Sequence, residues 1–138
     1  MSRRIDIPIE GNNGMIKDTI TLDMIAAAWE KARAVEGFDA AIIRKDACGA
    51  WIQKDMFSQS GSMYGWGIDL ILPNVLGGDM DKENIRALNY RNLMSKGNDY
   101  PSYKAVYTAE GLENKETEMY LTVNKKVRLN LKKKYEHA

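Results

Sequence analysis

Apolar residues in this chain come only in short runs. The longest, Met24 to Trp29 and, broken by Asp69, Ile68 to Leu72, fall far short of the roughly 20 residues that a bilayer-spanning helix requires. The fold must therefore be assembled from several short elements around a shared core. A length of 138 residues, at roughly 100–200 residues per domain, supports a single domain over 1–138. Hydrophobic residues at 44% and charged residues at 28% are ordinary for a globular protein and argue against a disordered one. The opening Met1-Ser2-Arg3-Arg4-Ile5-Asp6 has charge but neither an apolar run nor a small-residue cleavage site, so it does not read as a signal peptide. The expectation is a soluble chain with no membrane partner, cytoplasmic when made.

Charge and special residues narrow the chemistry. Twenty Lys+Arg against 19 Asp+Glu leave a net charge of +1, so bulk charge alone cannot hold nucleic acid, although a local basic patch can. The single cysteine, Cys48, rules out a disulfide framework and a multi-thiolate zinc site, and fits a reducing compartment. With no imidazole beside it to activate the thiol, it reads as a small buried apolar residue. The single histidine is His137. It leaves almost no material for an imidazole base, a His-ligated metal or a Ser-His-Asp triad.

Ile5, Ile7 and Ile9 alternate with polar residues and Pro8, which predicts an edge strand or an extended arm over 1–20. Thr21 is placed to cap a helix over 21–36, with Leu22, Ile25, Trp29 and Ala32 on one face and Gly37 as its stop. Trp51 to Phe57 reads as a strand, Ser58 to Ser62 as a loop, and Tyr64 to Leu72 as a second strand. Tyr90 to Lys96 reads as a short helix stopped by Gly97, and Tyr103 to Thr108 as a further strand, opening a C-terminal portion (102–138) of strand and basic segment. From Asn124 onward two periods compete. Val127, Leu131 and Tyr135 fit a helix, whereas Val127, Leu129 and Leu131 fit a strand; the helix is preferred.

The informative block is 44–101. It reads Arg44-Lys45-Asp46-Ala47-Cys48-Gly49-Ala50, then Tyr64-Gly65-Trp66-Gly67-Ile68-Asp69-Leu70-Ile71-Leu72-Pro73, then Gly77-Gly78-Asp79, Asn84-Ile85-Arg86-Ala87-Leu88, and Asn92-Leu93-Met94-Ser95-Lys96 ahead of Tyr100-Pro101. This succession resembles the HNH endonucleases, the ββα-metal nucleases, and within them a small bacterial and phage branch. The resemblance implies an α+β fold with an HNH-like core over 44–101. An N-terminal helix, an N-terminal strand or arm and a basic C-terminal segment complete it. The chemistry it implies is phosphodiester hydrolysis with one divalent metal.

Carried over residue by residue, the implied site is broken. Asp69 stands at the metal-binding acid and Asn84 at the middle Asn that holds the loop. Leu70 stands where the general base belongs and Leu93 where the helix supplies a ligand; Gly67 replaces a usual Glu, and Asn89 takes a position often held by His. Leucine has no lone pair to offer. Loss of the base alone costs about a hundred- to ten-thousand-fold in rate, and one remaining carboxylate holds a hard cation poorly. His137 could act only if the tail folded back. Asp79, Asp81 and Glu83 read as a solvated loop rather than a metal cluster, and Asn92, beside Leu93, points away from the ligand position. No metal and no cofactor are expected.

Such a chain reads as a catalytically inactive relative whose two leucines fill the old pocket with core, leaving a fold kept for binding. One partner class is protein, met through the terminal arms, with Ile5, Ile7 and Ile9 adding to a neighbour's sheet edge. Because the resembling branch is common in phages, a virion or capsid accessory protein is the concrete form of that expectation. The other class is nucleic acid, met through Lys125, Lys126, Arg128, Lys132, Lys133 and Lys134. Trp51, Trp66 and Tyr90 read as core rather than stacking platforms. A metal-dependent nuclease with residual activity through Asp69 is the remaining alternative.

Overall fold

Thr21 sits in extended backbone (φ −104°, ψ 160°) and its Oγ1 accepts the Met24 N–H at 3.2 Å. That cap starts α1, Leu22–Glu30, with Asp23 in its first turn. A computed structural model describes residues 4–5 and 20–136 of the chain. In it α1 ends at Glu30, not near Gly37 as the sequence pattern predicts. The reason is local. Arg33 exchanges backbone hydrogen bonds of 2.8 and 2.9 Å with Lys45, which commits it to a β-bridge. The Arg44 guanidinium then takes the carbonyls of Trp29, Glu30 and Ala32, a cation meeting the negative end of the helix.

Among the described residues, four antiparallel strand pairs accompany three α-helices. Two short strands, β1 (Arg4–Ile5) and β2 (Ile20–Thr21), pair ahead of α1. Next come β3 (Ile43–Lys45) and β4 (Trp51–Gln53), joined by a turn in which Gly49 has φ +85°. The strand expected to reach Phe57 stops at Gln53, because Lys54–Met56 winds into a 3-10 turn. The chain then forms β5 (Trp66–Leu70) and β6 (Ile85–Asn89), paired from Trp66 opposite Asn89 to Leu70 opposite Ile85. Directly after β6 runs α2, Tyr90–Lys96, capped by the Asn89 side chain, which accepts the Arg91 N–H at 3.0 Å. A long hairpin, β7 (Ser102–Glu110) with β8 (Glu113–Thr122), and a terminal helix, α3 (Lys125–Tyr135), complete the described chain. The fold is α+β, and the helical reading of 125–135 prevails over the strand. Among the described residues no helix is long and apolar enough to cross a membrane.

The β5–β6 pair is buried on both faces, which is why β5 shows no polar side in its burial. Trp66, Ile68, Leu70, Ile85 and Ala87 face a first core with Ile20, Ala28 and Trp29. Ile71 and Leu88 join a second with Leu93, Tyr103, Val123 and Leu131. The first core centres on Trp29 and Trp66, their rings 5.4 Å apart. Each indole N–H is satisfied, by Ala40 O at 3.0 Å and Lys54 O at 3.3 Å.

Candidate functional site

Strand alternation decides what the expected site residues can touch. Gly67 and Asp69 look toward α2, whereas Leu70, one residue on, looks toward α1. Leu93 lies on the α2 side. The two leucines are both sealed, at 0% and 1% exposure, yet they occupy different cores on opposite faces of the hairpin. The expectation that together they fill one former pocket is therefore corrected: only Asp69 and Leu93 share a face.

Asp69 is held on both oxygens. Its Oδ2 accepts from Arg86 Nε at 2.9 Å, directly across the β5–β6 ladder, and its Oδ1 lies 3.1 Å from Lys96 Nζ. Asp69 and Lys96 have no solvent-exposed side-chain surface, and Arg86 keeps 12%. The contact between Lys96 and Asp69 Oδ1 is an ion pair without hydrogen-bond geometry; the Lys96 Nζ hydrogen bonds go to Leu70 O at 3.1 Å and Ile71 O at 3.2 Å. The Arg86 guanidinium lies 5.2 Å from the Tyr103 ring centroid. Burial works against the charge of both cations. For Arg86 the adjacent Asp69 outweighs it, holding the guanidinium above its usual range. For Lys96 burial wins, and Arg86 adds to it, so the ammonium titrates below its ordinary value despite Asp69. Tyr103 is pushed up to about 12, chiefly by burial.

Beside this triad lies a second buried carboxylate. Asp46 Oδ1 accepts from Cys48 N (2.9 Å) and Ala50 N (2.8 Å), and Oδ2 from Asn89 N (2.9 Å) and Asn92 Nδ2 (3.1 Å). Burial pushes its carboxyl upward while those four donors oppose the shift. Asn92 carries the network onward: its Oδ1 accepts both Val106 N and Tyr107 N at 2.9 Å. These amides lie at the register shift in β7 between Ala105 and Tyr107, so one side chain pins a β-bulge. Cys48 is buried, and burial drives its thiol pKa up, away from nucleophilic use.

Asn84 closes the loop between β5 and β6. Its Oδ1 accepts Leu72 N at 2.8 Å, and its Nδ2 donates to Leu72 O at 2.9 Å and Asp79 O at 3.0 Å. Gly78 is required here, since a Cβ would stand 1.9 Å from Leu72 O. Leu93 is matched to Gly67 in the same steric sense. A Cβ at Gly67 would lie 2.9 Å from Leu93 Cδ2. Gly67→Ala is expected to cost about 1–3 kcal/mol. In a double-mutant cycle it should couple to Leu93→Ala by at least about 0.5 kcal/mol; additive urea-unfolding free energies would refute the contact.

The remaining candidates scatter. Asp79 accepts the Tyr135 hydroxyl, and Asp81 pairs with Lys134 at 3.3 Å, so these acids fasten α3 to the loop. Among the described residues no three His, Cys, Asp or Glu side chains converge on a metal position. Trp51, Trp66 and Tyr90 are buried. The backbone of Ile5 pairs with Ile20; its side chain, with Ile7, Ile9 and His137, lies outside the described residues. Lys125, Lys126, Lys132 and Lys133 are exposed on α3, whereas Arg128 and Lys134 are partly covered. Sequence reasoning assigned no role to Arg86, Lys96 or Asp46. The available signal was charge inside apolar runs, Asp69 between Ile68 and Leu70 and Arg86 between Ile85 and Ala87, which in a buried hairpin demands a partner. No family model matches the chain, and no curated protein or solved structure matches it.

Proposed function

We propose that this chain is a catalytically inactive, HNH-like protein that serves as a binding component of a larger assembly. The observation that supports the reading is the state of Asp69. The acid that such a core would offer to a metal is fully buried, with one oxygen on Arg86 and the other against Lys96. A cation entering there would have to displace two buried positive charges, which repel it at short range in a medium of low dielectric. The chain order β5–β6–α2 supports the HNH-like reading, and leucines at the positions that the resemblance gives to the base and the helix ligand support the inactive one. A histidine restored at Leu70 would still face Trp29 and Ile68 rather than Leu93. The arm residues Ile5, Ile7 and Ile9 remain the protein-facing candidates, on sequence pattern alone.

A supercoiled-plasmid nicking assay with magnesium, manganese or zinc tests this. The expected result is no cleavage above a metal-only control. Cleavage that co-purifies with the protein and stops on chelation would overturn the reading.

A further inference from the structure

The outward face of α3 carries more positive charge than the fold uses. Two of its six cations have work within the protein: Lys134 pairs with Asp81 at 3.3 Å, and Arg128 Nε donates to Val123 O at 2.9 Å. The apolar side of the helix is already seated, since Leu131 is part of the second core and Val127 and Tyr135 pack against it. Lys125, Lys126, Lys132 and Lys133 are left exposed, with no ion pair among the described residues. At about 100° per residue they span roughly a 120° arc centred near Leu129. The helix contains no acid; the negative groups beside it are Glu136 at its C-cap, Glu83 bordering Lys133 and Lys134, Asp81 paired with Lys134, and Asp79 on the Tyr135 hydroxyl.

The form of this patch selects its partner. Four ammonium groups on a convex helix do not converge, so no small anion is enclosed. Protein interfaces are depleted in lysine and rely on aromatic and arginine anchors, whereas this face offers a single apolar side chain, Leu129, 54% exposed. Single strands are held by aromatic stacking, and the exposed arc has no aromatic ring. Lys125 to Lys133 spans about 12 Å of helix axis at ~1.5 Å per residue, between three and four phosphate steps at ~3.4 Å along one strand of a duplex.

We infer that α3 is a docking surface for the phosphate backbone of double-stranded DNA, which it holds by charge without reading sequence. The inference rests on the non-catalytic binding role proposed above and names the partner. The test uses the full chain and a fluorescein-labelled 20-base-pair duplex of arbitrary sequence, with oligo-dT and poly-glutamate as competitors. With four contacts the log–log salt slope should be about −3.6, so affinity falls roughly a hundredfold between 50 and 200 mM salt. Combined Lys125→Gln, Lys126→Gln, Lys132→Gln and Lys133→Gln should weaken binding at least tenfold and flatten the slope, with circular dichroism unchanged. Lys104→Gln with Lys115→Gln, removing lysines already paired to Glu118 and Glu110, should change neither. Duplex binding that survives the fourfold variant overturns the inference, as does no binding at all or competition by poly-glutamate stronger than by duplex. Metal-dependent cleavage of the bound duplex would instead overturn the non-catalytic role and leave the docking surface standing.

Discussion

Asp69→Ala is expected to lower the unfolding free energy by about 3–5 kcal/mol, because it strands buried cations with no counter-charge. Arg86 and Lys96 stand 2.9 and 3.1 Å from its two oxygens, and Lys96 has no exposed side-chain surface through which water could replace them. Carbonyl oxygens of Leu70 and Ile71 keep Lys96 hydrogen-bonded but cannot neutralise it. Urea unfolding followed by tryptophan fluorescence measures the loss. Adding Lys96→Met to Asp69→Ala removes one of the stranded charges and should recover part of the stability. Losses that simply add would show that the two groups do not sense each other. The same experiment separates the structural role of Asp69 from a catalytic one, since a metal-binding acid held open for function is commonly neutral or costly to stability.

Asn92→Ala is expected to cost a similar amount, about 3–5 kcal/mol. It deprives the Val106 and Tyr107 N–H groups of their acceptor and takes one donor each from Asp46 and Tyr107 O. Each buried group left unpaired costs about 1–3 kcal/mol. Hydrogen exchange reads the mechanism directly: the amides of Val106 and Tyr107 should lose protection before their neighbours in β7. Asn130→Ala, an exposed change on α3, should stay within about 0.5 kcal/mol. Protection retained at Val106 would mean that the bulge is held by the strands alone.

These two residues also mark how far the sequence could be read. α2 was legible over Tyr90–Lys96 because its stop is local, Gly97 with φ +51°, although Asn89, read for another role, went unrecognised as its cap. The start of α1 was legible for the same reason at Thr21. Its end was not, because Arg44 and Lys45, more than ten residues downstream, take over its last carbonyls and the backbone of Arg33. β8 escaped notice because Glu113–Thr122 is mostly polar and pairs only on the side facing β7, so little apolar alternation marks it. At the site, the identity of each odd residue could be read, but not its facing. A one-residue step along β5 sends Asp69 and Leu70 to opposite cores, and only the register with β6 decides which. The pairing of Asp69 with Arg86 is likewise a cross-strand fact, invisible until the hairpin closes.

Asn92 ties a helix that ends at Lys96 to a strand that begins at Ser102, and Leu131 roofs the core that lies between them. During synthesis, at about 5–20 residues per second, the first core can assemble once β6 has left the ribosome. The second must wait for nearly the whole remaining chain. A message truncated after Pro101 would therefore release a half-finished nascent product, with the amide of Asn92 and the apolar side of α2 exposed to chaperones and proteases, and cellular quality control should clear it faster than the full-length protein.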